Sequence, residues 1–208
     1  MRTRKPAETR KAEIVDTALR LADELGPDRL TTEAVARRVG ITQAGIFRHF
    51  PKKQALWEAI AGHIAGLMEK RWAGALAARQ PADARIRSLI AAQLRLIRAT
   101  PAIPAILFSR ELHSENDALR RAFLALLGRF HRRIATLVRQ GIEEGVFRRN
   151  LDPDDAAMLI VGLVQGLAVR WSLTRRGFDL LEEGARLLDL QLSGFANPES
   201  EHRREERS

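Results

Sequence analysis

Between Thr31 and Phe50 the chain reads TTEAVARRVGITQAGIFRHF, two short stretches of helical apolar period split by one glycine and followed at once by Pro51, Lys52 and Lys53. Few arrangements suit that pattern. Thr31 stands where an N-cap oxygen can meet exposed N–H groups, and Leu30 and Val35 have the N′ and N4 spacing of a hydrophobic staple, so a helix starts near Thr32. Val35, Ala36 and Val39 give it an apolar face, and Gly40 can end it at a positive φ without a Cβ penalty. Thr42 is the next N-cap. From it, Ile46 and Phe50 lie four apart and point inward, which leaves Gln43, Ala44, Phe47 and Arg48 outward; His49 is either a further outward residue or a half-buried core histidine. The predicted unit is a helix-turn-helix. An αα-corner used only for packing has the same outline, but in a helix-turn-helix the second helix can enter the DNA major groove, where glutamine suits base edges and arginine suits guanine or phosphate.

Upstream, Ile14, Val15, Ala18, Leu19, Ala22 and Leu25 form an apolar stripe of helical period closed by Gly26-Pro27, which completes a three-helix head. The run Gly40-Ile41-Thr42-Gln43-Ala44-Gly45-Ile46-Phe47-Arg48-His49-Phe50-Pro51-Lys52-Lys53 closely resembles the signature of the TetR family of bacterial transcriptional regulators. That resemblance implies phosphate contacts from Thr42, Phe47, His49 and Lys53 and base proximity for Gln43 and Ala44; Thr32, Gly45 and Arg48 complete the expected DNA-contacting set. One position departs from the pattern. Phe47 stands where the family usually has tyrosine, and a phenyl ring has no hydroxyl to donate to a phosphate, although it can pack on a sugar or a thymine methyl. Arg37 and Arg38 read first as a solvated helix face.

At 208 residues and 45% apolar content the chain can build a real core in one large domain or two small ones. Its net charge of +9 favours an anionic partner. Arg2, Arg4, Lys5, Arg10 and Lys11 crowd the beginning, as an arm reaching DNA or as a solvated tail. The expected division is a basic flexible arm at 1–9, a DNA-binding domain at 10–55, a helical effector-binding and dimerisation domain at 56–196, and a disordered tail at 197–208. No cysteine is present, no signal-peptide h-region follows the basic start, and the longest apolar run, Ala156 to Val169, is interrupted by Gln165 and reads as too short for a membrane span. A cytoplasmic, nucleoid-associated protein with no membrane partner is expected.

Past Phe50 the helical period continues, so the fold class is all-α, with the three-helix head followed by a helical bundle. A helix after Pro51 should run to the Gln80-Pro81 break, a second should cover Arg85 to Ala99, and a third should start near Ser114 or Asn116 and close at Gly145. Asp152 and Pro153 mark another start, with Asp154 and Asp155 placed where the macrodipole favours acid. The run AAMLIVGLVQGLAV that follows is apolar nearly all round and has to be covered on two sides. Gly162 and Gly166 on it, with Leu181, Ala185, Leu188 and Leu192 on a last helix from Phe178 to Phe195, are the expected homodimer interface; the family resemblance implies a four-helix version of it. A two-fold protein matches a palindromic operator.

Catalytic chemistry finds little support. There is no Cys nucleophile, GxSxG, phosphate-binding glycine loop or HExxH, and no metal site or cofactor is expected. His113 and Asp117 are four apart, but a helix start falls between them. The resemblance implies an unknown small-molecule effector within the body domain. Gln93, polar within an apolar stripe, is either a pocket anchor or a satisfied core amide; Trp72, Arg98, Phe108, Arg110, His131, Gln165 and Trp171 are weaker candidates. An effector-independent or architectural DNA binder of the same fold is the alternative, and a helical small-molecule-binding protein or enzyme a remoter one.

Overall fold

The computed structural model describes residues 6–77 and 79–198. Arg2, Arg4 and Lys5 of the arm and residues 199–208 of the tail lie outside it. Among the described residues the chain forms ten α-helices and no strand. It divides into two compact units, one of residues 1–67 with 100–124, the other of residues 68–99 with 125–208.

In the first unit, α1 (Ala7–Leu25) buries Ile14, Val15, Ala18, Leu19, Leu21 and Ala22, closes at Gly26, and is followed by a 3-10 turn over Pro27–Arg29. It packs on α2 (Thr32–Val39), α3 (Gln43–His49) and α6 (Ala102–Leu107). The helical start at Ala7 corrects the flexible arm expected to residue 9: Glu8 pairs with Lys11 at 3.1 Å and Arg10 with Glu13 at 2.8 Å, the i, i+3 spacing that supports a helix. The unit also holds the first part of α4 (Lys53–Ala75), α7 (Arg110–Glu115) and the first turns of α8 (Asp117–Glu143). Ser109 caps α7 and donates to Asp28 at 2.7 Å, while Asn116 Oδ1 accepts from the backbone N–H of Leu119 at 2.9 Å. His113 does not pair with Asp117; its ring lies edge-on to Phe123, and Asp117 is held by Arg120 and Arg121.

The partition therefore does not follow chain order at residue 55. Ile103 and Ile106 of α6 are 1% and 0% exposed because α1 offers apolar surface on a second side, which sequence period alone does not assign to a partner.

The second unit contains α5 (Ala82–Ala99), α9 (Pro153–Leu173), α10 (Leu180–Ser193) and the remainder of α4 and α8. Asp152 Oδ1 accepts from the N–H groups of Asp154 and Asp155, and Asp179 does the same for Leu181 and Glu182. These backbone bonds hold the Asp179 carboxyl below its ordinary range. An isolated antiparallel bridge pairs Phe147 with Ala196, so the expected tail boundary falls beside an ordered contact. The 21 residues of α9 are long and apolar enough to cross a membrane, contrary to the sequence estimate of too short a run. Here α9 packs on α5 and α10, with Ile160, Val164, Leu167 and Trp171 buried, as the core helix of a bundle.

Gly141 on α8 marks a close approach to an aromatic ring in this unit: a Cβ there would stand 2.3 Å from the Phe147 ring, which is itself 1% exposed. Gly141→Ala should destabilise the protein by about 1–3 kcal/mol, read as a lower denaturation midpoint at unchanged m-value.

Candidate nucleic-acid interface

The second helix of the turn is placed by very little. Thr42 Oγ1 accepts from the Gly45 N–H at 3.1 Å, Ile46 is 0% exposed and Phe50 6% exposed, and Gly40 closes the preceding helix at φ +75°. Gln43, Ala44, Phe47 and Arg48 are then exposed along the outer side of α3, Gly45 and His49 are half-buried, and Lys53 is exposed at the start of α4. Thr32 departs from its expected place on the surface. It is 8% exposed, and its hydroxyl accepts a hydrogen bond from Gln43 Nε2 at 2.9 Å, so it orients the glutamine from behind.

A hollow of about 620 Å³ runs beside this helix, lined by Pro6, Ala7, Arg10, Ile41, Thr42, Gly45, Arg48 and His49. Two arginines and the uncapped first turn of α1 border it, a combination that suits phosphate. The sequence reading placed Arg10 and Lys11 in a basic arm that reaches DNA or is a solvated tail; it missed that they stand on the first turns of α1, for which the Glu8/Lys11 and Arg10/Glu13 spacings were the available signal. Arg38 does not face this hollow as a free cation. It makes a bidentate pair with Glu24 at 3.0 and 2.7 Å, and the Arg38 hydrogen bonds hold the Glu24 carboxyl below its ordinary range.

The effector candidates are divided between the two units. Phe108 and Arg110 belong to the first unit and are exposed. In the second, Gln93 is 5% exposed and its Oε1 accepts from Trp72 Nε1 at 2.8 Å, so of the two sequence readings it has the geometry of a satisfied core amide. Trp72 in turn stacks on Phe130 with ring centroids 4.9 Å apart. Arg98 is an exposed partner of Asp179, His131 bonds the Asp154 carbonyl, Gln165 is half-buried and Trp171 is buried beneath Arg176.

The interface candidates also separate. Gly162 and Gly166 are exposed, and a Cβ at either would meet nothing within 4 Å. Ala185 is exposed and Leu181 half-buried. Leu188 and Leu192, by contrast, are 2% and 3% exposed, covered within the protomer where α10 packs on α5 and α9; they belong to its own core, and Leu190 at 68% is the open leucine of that helix. On α9 the exposed apolar residues are Met158, Leu159, Val169 and Leu173.

A short capped helix presented outward behind a glycine turn, in an all-α chain with cationic groups around it, defines a helix-turn-helix DNA-binding protein. Comparison with known proteins narrows the class. Residues 14–60 match the bacterial regulatory proteins of the tetR family, and residues 79–172 match the tetracyclin repressor-like C-terminal domain. The nucleoid occlusion factor SlmA of Marinobacter nauticus is 27% identical over 157 residues, 76% of this chain and 77% of that one. A putative transcriptional regulator from Saccharomonospora viridis, solved with choline, superposes with a TM-score of 0.79 at 24% identity, covering 88% of this chain and 94% of that one. FadR of Bacillus subtilis, solved with stearoyl-CoA, gives 0.77 at 19% identity, covering 88% and 98%. The chain belongs to the TetR family of DNA-binding transcriptional regulators.

The cap is the most local support of the outward helix. Thr42→Ala should cost about 1 kcal/mol of stability, measured by urea denaturation, with the backbone amide of Gly45 losing protection in hydrogen exchange.

Proposed function

We propose that the protein is a repressor that binds a palindromic operator as a homodimer and is released by a small-molecule effector. The observation that carries this reading is the outer side of α3, where Gln43, Ala44, Phe47 and Arg48 stand exposed together while Ile46 alone is buried. Gln43 approaches base edges with its carbonyl oxygen, its amide already steadied by Thr32. Thr42, His49, Lys53 and Arg48 meet phosphates, and Phe47 contributes contact area without a hydroxyl bond. The protein acts in the cytoplasm, at the nucleoid, as a regulator and not an enzyme; the tetR family match and a relative named a nucleoid occlusion factor support this reading.

Dimerisation uses the open stripe of α9. Met158 and Leu159 at 62% and 56% exposure, Leu173 at 79%, and Gly162 and Gly166 between them form an apolar surface that a second copy covers.

The effector-independent reading has one specific observation in its favour: the Trp72–Gln93–Phe130 cluster fills the interior around Gln93 and leaves its carbonyl oxygen bonded. Genome-wide mapping of bound DNA tests the operator, and screening candidate metabolites for release of the mapped site separates a repressor with an effector from one without.

Two substitutions assign the DNA roles. Gln43→Ala should cost about 1–3 kcal/mol and relax preference at one operator position. Lys53→Ala should weaken all sequences alike and reduce the salt slope by about one; salt-titrated binding curves giving the opposite pattern would reverse the assignments.

The dimer has its own test. Since nothing in the protomer obstructs a side chain at residue 166, Gly166→Leu should fold normally, yet cost roughly 1–3 kcal/mol or more at the paired helices. Sedimentation should then show monomers and operator affinity should collapse, while weak non-specific binding survives. A folded variant that stays dimeric with full affinity would remove α9 from the interface.

A further inference from the structure

Four arginines converge within the second unit. A cleft of about 510 Å³ in the second unit is lined by Leu76 just past α4, Arg85 on α5, and Arg129, Arg132, Arg133, Thr136 and Leu137 on α8. The α8 residues are spaced three and four apart, so one side of that helix carries three guanidinium groups. Among the described residues a single carboxylate answers them. Glu69 accepts from Arg129 Nε at 2.9 Å and from Arg133 Nη2 at 2.6 Å; burial raises its carboxyl, but those bonds outweigh it and hold the group below its ordinary range.

The other two arginines are left over. Arg85 donates through Nη1 to the neutral Gln140 Oε1 at 2.7 Å, while its Nε is buried and has no hydrogen-bond partner. Arg132 has no carboxylate partner among the described residues. Packing accounts for part of the cluster, since Arg133 lies 5.7 Å over the Trp72 ring, as long cationic side chains do on apolar surface. It does not account for Arg85. A buried guanidinium donor without an acceptor is costly to keep, and like charges gathered in one cleft repel unless an anion joins them.

We propose that this cleft binds a phosphorylated small molecule, its phosphate oxygens taken by Arg85 and Arg132 with Arg129 and Arg133 at their flanks. Planar guanidinium forks match phosphate bidentately. Four arginines against one glutamate leave three positive charges, which a monocarboxylate leaves mostly unbalanced, a phosphate monoester of at most two charges balances in part, and a diphosphate comes nearest to balancing. Leu76 and Leu137 give an apolar wall for an organic portion, and the volume falls within the roughly 300–1,000 Å³ of small-molecule sites. As the identity of the effector, this rests on the repressor reading; as an anion site, it stands on the cleft alone.

Calorimetric titration of the full chain at constant ionic strength, with inorganic phosphate, pyrophosphate and ADP as probes, tests it. Pyrophosphate and ADP should bind saturably, one per protomer. Arg132→Ala, at an exposed position, and Arg85→Gln should each weaken binding at least tenfold, and Arg95→Ala, exposed on α5 outside the cleft, should bind as the unsubstituted protein does. ADP tighter than pyrophosphate identifies an organic phosphate as the ligand; equal binding identifies the inorganic diphosphate. No saturable binding by any probe overturns the proposal, as does binding that survives both arginine substitutions. Operator binding measured on the same samples keeps the two readings apart. Loss of the anion site with operator preference intact removes this proposal alone, whereas an unsubstituted protein with no operator preference removes the repressor and leaves the anion site.

Discussion

The helix-turn-helix depends on the buried apolar stripe of α1. α2, α3 and α6 have eight, seven and six residues, lengths at which an isolated helix does not hold together in water. Each persists because α1 supplies surface for its apolar residues. For α3 the margin is narrow: Ile46 is its one buried side chain, so the direction in which Gln43 and Arg48 face is set by that residue, the Thr42 cap and the Phe50 anchor beyond it. A helix tied down so lightly keeps Gln43, Ala44, Phe47 and Arg48 open to DNA.

What the sequence disclosed was what is determined within a few residues. Thr31, Thr42, Asp152 and Gly40 act as caps where their chemistry placed them, because a cap is a bond between near neighbours. The outer side of α3 was legible for the same reason, as the complement of Ile46 and Phe50. Depth and partnership were not. Leu188 and Leu192 have the period of an exposed seam yet are covered by the protomer itself, and Leu190, two positions from each, is the residue left open. Period names a side of a helix and leaves its neighbour unnamed. Gln93 shows the limit for polar groups: its stripe was visible, but its partner Trp72 lies 21 positions away.

Gln93 and Arg85, both on α5, mark two ways of placing polarity inside a helical body. Gln93 is bonded by an indole N–H and becomes part of the packing, in a cluster completed by Phe130. Arg85 keeps a buried donor unused at the wall of a cleft. The first stiffens the interior; the second leaves it unsaturated. A search for ligand chemistry is better directed by the unsatisfied donor than by a lone polar residue in an apolar stripe.

The head unit is interrupted in the chain, since residues 68–99 intervene before α6 and α7 return to it. During synthesis, at ~5–20 residues per second, the reading helix leaves the ribosome seconds before the segment that completes its unit. A nascent chain in that interval carries a basic, half-assembled head with the α6-facing side of α1 uncovered. The covering of that side of α1 thus waits until about half of these 208 residues have been made, with the arrival of Ile103 and Ile106.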